Sequence, residues 1–363
     1  MPLPSPRPTV SAPGAASNVW CGRFNSVSTH ALLLHPSGGC ETRPDLSVVV
    51  PTRNRCQLLA SALKSLVEQE ADTVSYEVVV VDNSSEDGTR SVVESFMGKG
   101  RPLVRYVREA RSGISYARNA GIRAARSSVI AFLDDDCRAG RNWATTIKLT
   151  FDSNPYLGCI GGKVLPVWPF QPPKWLDRRH WSPLAITDHG DSTITVDADH
   201  PLCLVAANLA VRREVFQHVG LFSCVVARSE DHELELRFFR AGGQGRYVPT
   251  MVVTTDVPAA RCTKRYHRRW HAQHGRDCAT IGLSERIGRR GEVLSQPAVA
   301  RTLFGVPLFL YRELLAELTA WLGAAGGPAS LRFHHEVRVI HLVHYMRQRS
   351  VTWSSGPPFV RAR

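Results

Sequence analysis

The stretch Val129-Ile-Ala-Phe-Leu-Asp-Asp-Asp136 places three consecutive carboxylates directly after five apolar residues. An apolar run of this length, bounded by polar residues, is typical of a buried β-strand. Three adjacent carboxylates repel one another at low dielectric, so they need either exposure to water or a compensating cation. Oxygen ligands of this kind suit Mg²⁺ or Mn²⁺ bound to a substrate diphosphate. A solvated acidic turn is the alternative interpretation.

Similar apolar runs precede the triplet. They occupy residues 46–50, 77–81 and 103–107, and apolar residues at helical spacing lie between successive runs. This alternation predicts βαβ units and a parallel sheet covered by helices. Polar clusters follow two of the runs, as Thr52-Arg-Asn54 and Asp82-Asn-Ser84. Because ligands bind beyond the carboxyl ends of strands in such sheets, these clusters and the triplet should converge on one crevice.

The alternation weakens after residue 141. Residues 203–211 and 213–219 predict a further strand and helix, and the Pro- and Trp-rich residues 164–181 predict an ordered loop or insertion. Gly158-Cys-Ile-Gly-Gly-Lys163 matches neither a P-loop nor a dinucleotide fingerprint. We interpret that segment as a strand edge or a turn.

Composition limits the class of protein. The 363 residues are 43% hydrophobic, which is ordinary for a globular chain, but the formal net charge is +13. Such an excess indicates an acidic partner, which could be nucleic acid, anionic lipid or a phosphorylated substrate. Nine cysteines without a CxxC pair favour a reducing, cytoplasmic setting. The Pro-rich residues 1–44 predict a flexible leader without an export signal, and no apolar run is long enough to predict a membrane span.

Helical spacing returns towards the C-terminus. One predicted helix begins near Pro307, and a second covers residues 333–349, where apolar residues mix with Arg and His. The second helix could lie on an anionic membrane surface, or the two could form a hairpin packed on the rest of the chain. The predicted organisation is therefore a domain at residues 45–276 followed by a helical extension and tail at residues 277–363.

Five short segments carry the strongest combined signal. In chain order they are Val50-Pro-Thr-Arg-Asn54, Val81-Asp-Asn-Ser-Ser85, Gly113-Ile-Ser-Tyr-Ala-Arg-Asn119, Phe132-Leu-Asp-Asp-Asp136 and Ser229-Glu-Asp-His232. Each is weak alone, but the ordered set resembles the family 2 glycosyltransferases of GT-A fold. The resemblance implies an α/β fold with a mostly parallel, Rossmann-like sheet flanked by helices. It also implies an enzyme that moves a sugar, with inversion, from a UDP- or dTDP-sugar to a hydroxyl of a saccharide or lipid-linked acceptor.

The resemblance also assigns nucleotide-binding residues. Four side chains would line the base pocket: Thr52, Arg53, Asn54 and Asp82. A carboxylate can accept the imide N–H of uracil or thymine, which agrees with this role for the aspartate. Arg118 would lie near the nucleotide. Alternatively, Arg118 and Asn119 only cap or brace a helix.

The acidic residues receive separate roles. By resemblance, Asp134 faces the ribose or the sugar, Asp136 binds Mg²⁺ or Mn²⁺, and Asp135 touches either group. The Glu230-Asp231 pair supplies the catalytic carboxylates, with Asp231 in the position of the base that accepts a proton from the acceptor hydroxyl. A helix-start carboxylate, favoured by the helix dipole, is the alternative interpretation of Asp231.

A basic segment at residues 261–276 contains six Lys or Arg, three His and no acid. It predicts a clamp for the diphosphate or for a phosphorylated acceptor, with Arg269, Trp270 and His271 as its candidate residues. A solvated basic helix is an equal alternative. A zinc site is a third interpretation, although its spacing matches no usual pattern. The ligands of that site would be Cys262, His267, His271, His274 and Cys278.

Two other functions compete with glycosyl transfer. A basic nucleic-acid-binding protein would account for the net charge, but the sequence contains no recognisable reading module, and we expect no nucleic-acid partner. A sugar-phosphate nucleotidyltransferase predicts a Gly-rich first loop, whereas residues 51–55 contain no glycine. By resemblance, the setting is polysaccharide or glycolipid assembly, with the chain in the cytoplasm and in peripheral contact with the inner face of the membrane.

Overall fold

The computed structural model describes residues 43–98, 100, 102–226, 228–288, 290–297 and 301–354, so the predicted leader lies almost entirely outside the described residues. The strands are β1 (Leu46–Thr52), β2 (Tyr76–Asp82), β3 (Leu103–Arg108), β4 (Val129–Leu133), β5 (Cys137–Ala139), β6 (Cys159–Val167), β7 (Ile194–Val196), β8 (Asn208–Arg212), β9 (Gly245–Asp256), β10 (Thr302–Leu303) and β11 (Val306–Pro307). The helices are α1 (Cys56–Val67), α2 (Thr89–Phe96), α3 (Ile114–Ala124), α4 (Trp143–Ser153), α5 (Arg213–Val219), α6 (Glu230–Arg240), α7 (Lys264–Thr280), α8 (Leu283–Arg286), α9 (Leu308–Gly323) and α10 (Ala329–Ser354). Short 3₁₀ turns lie at Arg178–His180, Ser182–Leu184 and Ala259–Arg261.

A mixed sheet forms the centre of the molecule. Its strands follow the order β3-β2-β1-β4-β8-β6-β9-β5, and β7 pairs with β9. The first four strands of this order run parallel to one another. Strand β8 is antiparallel to both of its neighbours, whereas β6 and β9 are parallel. The four predicted strands and their parallel pairing are therefore confirmed, while the second half of the sheet mixes both directions.

Helices cover both faces of the sheet, which explains why β1 is buried along its whole length. Val48 and Val50 point to one face, where they share a core cluster with Leu63 of α1 and Ile147 of α4. Val49 points to the opposite face, in the cluster that also contains apolar residues of α3, α5 and α6. Side chains alternate between the two faces of a strand, so a Val-rich run supplies both cores at once.

Gly121 allows α3 to lie directly on β1. A Cβ atom at this position would stand 2.2 Å from Cγ1 of Val49, so any larger residue would push the helix away from the strand. The close approach fixes the height of α3 above the sheet. It thereby sets the position of Arg118 and Asn119, which lie within the same helix.

The side chain of Asn208 on β8 forms hydrogen bonds to β6, β9 and α4 in the second half of the sheet. Its Nδ2 donates to the carbonyls of Lys163 and Met251, both at 2.8 Å, and its Oδ1 accepts from Nε1 of Trp143 at 2.8 Å. The predicted strand at residues 203–211 is therefore wrong in its first half, because β8 begins only at Asn208. The preceding residues form a loop whose Leu204 N–H bonds to a side chain of α6.

Two further strands differ from the sequence prediction. Residues 158–163 do not form a strand edge or a turn, because β6 begins at Cys159 and lies between β8 and β9. Strand β9 was not predicted at all. The β6–β9 register shifts between Gly161 and Lys163, where a Cβ on Gly162 would stand 1.8 Å from the Met251 carbonyl oxygen. An irregular pair with a glycine at the bulge lacks a clear period-two pattern.

The C-terminal helices pack on the end of the sheet domain. The predicted helix near Pro307 is α9, and residues 333–349 lie within α10, so both helices are confirmed. Helix α10 packs against α7 and α9, with Leu310, Leu342 and Tyr345 in a shared buried cluster. The predicted boundary at residue 276 falls inside α7. Among the described residues, no helix combines the length and apolarity that a bilayer crossing requires.

Candidate active site

The carboxyl ends of β1, β2 and β4 form one edge of the sheet, and three polar residues stand there. Thr52 and Asp82 are opposite one another in the parallel register of β1 and β2. Asp134 follows the last residue of β4. The Thr52 hydroxyl donates to Oδ2 of Asp135 at 2.8 Å, so the first strand and the acidic triplet are in direct contact.

Two arginines contact Asp135 and Asp136. Nη1 of Arg55 lies 2.9 Å from Oδ1 of Asp135 and 3.1 Å from Oδ2 of Asp136, and Nη2 of Arg261 reaches the same oxygen of Asp136 at 3.3 Å. Asp135 is only 5% exposed. Burial raises its pKa to about 6, although Arg55 acts in the opposite direction and Asp136 adds to the rise. The triplet is therefore a partly buried acidic cluster with cationic partners and not a solvated turn.

Arg118 connects the triplet to the start of α6. Its Nη2 lies 3.0 Å from Oδ1 of Asp134, and its Nη1 donates to Oε1 of Glu230. The side chain of Arg118 is 4% exposed and that of Glu230 is 9% exposed, so this ion pair is buried. Burial raises the pKa of Glu230, Arg118 opposes the rise, and neighbouring Asp231 adds to it.

Asn119 braces the loop after α5. Its Oδ1 accepts from the Phe222 backbone N–H at 3.0 Å, and its Nδ2 donates to the Phe222 carbonyl at 2.9 Å. The ring of Phe222 in turn lies against the guanidinium of Arg118, 5.6 Å from its centroid. The sequence left two roles open for Arg118 and Asn119, nucleotide binding or structural bracing. Asn119 has the contacts of a bracing residue, whereas Arg118 lies in the acidic cluster.

Asp231 lies in the first turn of α6. Its Oδ2 accepts from the Ala206 N–H at 3.3 Å, and its Oδ1 accepts from the His232 N–H at 2.9 Å. One turn later, Glu235 is buried and accepts from the Leu204 N–H at 2.8 Å, and burial raises its pKa well above the ordinary value. Glu235 was missed by the sequence interpretation, although its spacing of four residues from Asp231 places both carboxylates on one helix face.

A cleft of about 1100 Å³ joins these groups. One wall is the sheet edge and α6, with Asp134, Asp136 and Asp231. The other walls come from the loop at residues 178–189 and from α7, α9 and α10. Trp270 and His271 line the cleft, as do several carboxylates and cations: Arg55, Arg118, Asp134, Asp136, Arg178, Arg228, Glu230, Asp231, Arg261, Glu313 and Arg338.

Six predicted site residues lie outside the lining described for this cleft. Two of them, Thr52 and Asp135, are hydrogen-bonded to each other at the sheet edge. Asp82 is buried at the same sheet edge, where it accepts from the Ser85 N–H at 2.8 Å and from the Tyr106 hydroxyl at 2.7 Å. Arg53 is exposed and donates to Ser112. Asn54 accepts from the Glu86 N–H at 2.8 Å. Arg269 is exposed on α7. Their roles in binding stay predictions.

Arg55 and Arg261 are cleft residues that the sequence interpretation did not single out. Arg55 precedes α1 directly and ends the polar segment after β1, which was the available signal. Arg261 is the first residue of the basic segment, in the short 3₁₀ turn before α7. Arg55 immediately precedes α1 and Arg261 lies three residues before α7, so each side chain reaches the sheet edge from the segment that leads into a helix.

The donor set at the triplet fits a hard divalent cation. The ion pairs occupy Oδ1 of Asp134 and Oδ2 of Asp136, which leaves Oδ2 of Asp134 and Oδ1 of Asp136 outside them. Both residues line the cleft, and Asp134 keeps 27% of its side chain exposed. Carboxylate oxygens on one side of a shared ligand cavity are the donors that Mg²⁺ and Mn²⁺ prefer when a diphosphate completes their coordination.

The relatives found by sequence comparison are named as glycosyltransferases. Residues 47–220 match the model of the family described as glycosyl transferase family 2. Glycosyltransferase AglE of Haloferax volcanii is 32% identical over 123 residues, which cover 34% of this chain and 40% of AglE. The glucosyl-dolichyl phosphate glucuronosyltransferase of the same organism is 26% identical over 192 residues, which cover 52% of this chain and 59% of the relative. The chain thus spans about half the length of these relatives.

Structure comparison agrees on the fold. The mannosyltransferase PcManGT from Pyrobaculum calidifontis, solved in complex with GDP-Man and Mn²⁺, matches with a TM-score of 0.52 at 19% identity. The match covers 87% of this chain and 89% of PcManGT. The predicted GT-A-like fold class is confirmed. With its ordered motifs, its sheet and the match over residues 47–220, the chain is similar to glycosyl transferase family 2.

Proposed function

We propose that this protein transfers a sugar from a nucleoside-diphosphate donor to an acceptor hydroxyl and inverts the anomeric centre. One observation carries the proposal: Asp134 and Asp136 of the triplet after β4 face the same cleft as the Glu230-Asp231 pair at the start of α6, and Arg118 bridges Asp134 and Glu230. Inverting transfer needs a charged site for the leaving diphosphate and, across from it, a carboxylate that accepts a proton.

Asp231 is the base in this proposal. Its two backbone hydrogen bonds fix the orientation of the carboxylate, and each oxygen retains a further lone pair that can accept a proton. The first turn of α6 favours a negatively charged side chain through the helix dipole. Glu230 is held by Arg118 and is buried, so we assign it to positioning Arg118 and the start of α6.

The donor side of the cleft is cationic. Arg55, Arg118 and Arg261 all line it and contact the triplet, so they can also contact phosphate oxygens. Asp136, assisted by Asp134, would hold Mg²⁺ or Mn²⁺. The cation supplies Lewis-acid stabilisation of the charge that develops on the leaving diphosphate. UDP- and dTDP-sugars are the favoured donors, with Asp82 and residues 52–54 as the base-binding group.

The acceptor side is formed by the later part of the chain. Trp181, Trp270 and His271 line the cleft, and aromatic side chains are suited to contact with sugar rings through their apolar faces. We propose a saccharide or lipid-linked acceptor. The second relative supports the lipid-linked form because its name includes glucosyl-dolichyl phosphate.

The test is a donor screen with a matched pair of variants. The purified protein is incubated with UDP-, dTDP- and GDP-sugars and Mn²⁺, and nucleotide release and sugar transfer are measured. Asp231→Asn should lower kcat by about 10²- to 10⁴-fold, as expected for loss of a general base, with nucleotide affinity retained. Asp136→Ala should instead weaken binding of the nucleoside diphosphate in the presence of Mn²⁺. Asp199→Asn, at an exposed position, is the control for a change of charge.

Two outcomes would reject the proposal. If no donor is hydrolysed or transferred by the unaltered protein, the assigned reaction class is wrong. If transfer occurs but NMR of the product shows a retained anomeric configuration, Asp231 does not act as the base of a single inverting displacement. An unchanged kcat for Asp231→Asn would reject the same assignment.

A further inference from the structure

Three metal-ligating side chains meet where α7 packs on α10. His274 and Cys278 lie on α7, and His341 lies on α10. Nδ1 of His274 is 3.4 Å from Nδ1 of His341 and 3.7 Å from Sγ of Cys278, and the ligand atoms of all three lie within 4.8 Å of one another. None of the three residues is assigned to binding of the nucleotide-sugar donor, and they lie on different elements from the acidic triplet.

These distances suit ligands that share an ion better than hydrogen-bonded partners. Hydrogen bonds from N–H donors cluster at about 2.7–3.2 Å, which is shorter than the contact between the two imidazoles. Zinc binds nitrogen at about 2.0–2.1 Å and sulfur at about 2.3 Å. At tetrahedral angles, those bond lengths place two nitrogens about 3.3 Å apart and a nitrogen and a sulfur about 3.5 Å apart. The observed separations of 3.4 and 3.7 Å are close to both values. Sγ of Cys278 also lies 3.6 Å from Nε2 of His274, so the imidazole has to turn for Nδ1 alone to face a shared ion.

The surrounding structure positions the three ligands. His274 and Cys278 are four residues apart, so they lie on the same face of α7. Gly275 allows α10 to approach that face, since a Cβ there would stand 2.4 Å from the His341 carbonyl oxygen. The indole of Trp270 stacks on the ring of His274 at 4.5 Å and 16°, which restricts its rotation. Cys278 is an unpaired, buried thiol.

The geometry points to a zinc site formed by His274, Cys278 and His341 that links α7 to α10. All three residues line the cleft, so a fourth ligand can come from the cleft. The site is chemically distinct from the one at Asp136, because thiolate and imidazole select Zn²⁺ whereas carboxylates select Mg²⁺ or Mn²⁺. It also revises the zinc interpretation of the sequence, which had Cys262, His267 and His271 as ligands and did not include His341.

The first test measures the metal directly. Untagged full-length protein is stripped with chelator, reloaded with Zn²⁺, desalted and analysed by mass spectrometry for bound zinc. We expect about one zinc per chain for the unaltered protein and for Asp136→Ala. Cys278→Ala and His341→Ala should bind zinc at least about tenfold more weakly. Cys262→Ala, a buried cysteine before α7, and His344→Ala, one turn beyond on α10, are the matched controls and should retain zinc.

A second measurement does not depend on the folding of any variant. Co²⁺ loaded into the unaltered protein should give a thiolate-to-cobalt charge-transfer band, because only a cysteine ligand produces one. Chelator should lower the melting temperature of the unaltered protein and of Asp136→Ala, since a metal that binds the folded state stabilises it. Absence of the cobalt band from the unaltered protein would overturn the proposal, as would full zinc retention by Cys278→Ala. Either result would leave the glycosyltransferase assignment standing.

Discussion

Replacement of Arg118 by Met tests the buried ion pair at the centre of the site. Met keeps an apolar stem against Phe222 but removes the charge that faces Asp134 and Glu230. Asp134 is 27% exposed and can regain water, whereas Glu230 is 9% exposed and cannot. Loss of one partner from a buried ion pair costs about 3–5 kcal/mol. Since one of the two carboxylates is hydrated, we expect a loss near the lower limit, about 3 kcal/mol in the free energy of unfolding at pH 8.

A double-mutant cycle separates the ion pair from general damage to packing. Glu230→Gln removes the charge that Arg118→Met leaves buried, so the double variant should be more stable than Arg118→Met alone by about 1–3 kcal/mol. Urea unfolding followed by circular dichroism supplies all four free energies, with m-values compared to confirm that the same transition is measured.

The pH dependence of the stability loss in Arg118→Met provides a second, independent test of the ion pair. Burial places the folded-state pKa of Glu230 above its ordinary value of 4.5, and loss of Arg118 removes the group that opposes this rise. A carboxyl group with a raised folded pKa stabilises the fold fully below its unfolded pKa, and that contribution disappears as pH rises through the folded value. The unfolded-state pKa is the same in both proteins, so the deficit of Arg118→Met should grow only as pH rises above the folded-state pKa of Glu230, about 7. This pH-dependent growth should be absent from the double variant. The explanation fails if Arg118→Met stays within about 0.5 kcal/mol of the unaltered protein at pH 8.

Three further substitutions test the framework, each by urea unfolding or thermal melting. Gly121→Ala should cost about 1–3 kcal/mol because the new Cβ would stand 2.2 Å from Val49, and Val49→Ala in the same chain should recover part of the loss. Asn208→Ala should lower the free energy of unfolding by about 2–4 kcal/mol, because it leaves the Trp143 indole N–H and the carbonyls of Lys163 and Met251 without their partner. An unchanged free energy of unfolding would show that these hydrogen bonds do not stabilise the sheet. Asp135, with its pKa raised to about 6, stabilises the fold fully below about pH 3.8 and loses that contribution as pH rises through 6. Asp135→Asn should flatten melting temperature between those pH values, and an unchanged profile would contradict the raised pKa.

The first half of the fold could be predicted because its signals are local. Strands β1, β2 and β4 are continuous apolar runs of mostly β-branched residues, and α1 and α3 follow at helical spacing. Once these units are recognised, the parallel order brings the strand ends together without further information. Strand β9 gives no such signal, because Pro249 interrupts it and its pairing with β6 shifts at Gly162. Its place in the sheet therefore depends on partners 86 to 89 residues away in the chain.

The triplet and the Glu230-Asp231 pair could be found from the sequence, whereas the choice between neighbouring arginines could not. Arg53 and Arg55 are two residues apart in the same turn, yet only Arg55 reaches the triplet. Asn54 between them has a left-handed backbone, with φ of 53°, which turns the chain before α1 begins. No motif specifies that backbone conformation, so the direction of each arginine depends on the folded loop.

The predicted division of the chain at residue 276 stays a prediction, although this boundary falls inside α7. A boundary at residue 276 separates the sheet domain from a helical extension, but α7 continues to Thr280 and its buried face packs on α10. The cleft takes residues from both sides of this boundary, with Asp136 and Asp231 before it and Arg338 and His341 after it. A chain that ended at 276 would lose one wall of the cleft and expose the apolar face of α7. Helices α9 and α10 therefore form part of the wall of the proposed active site.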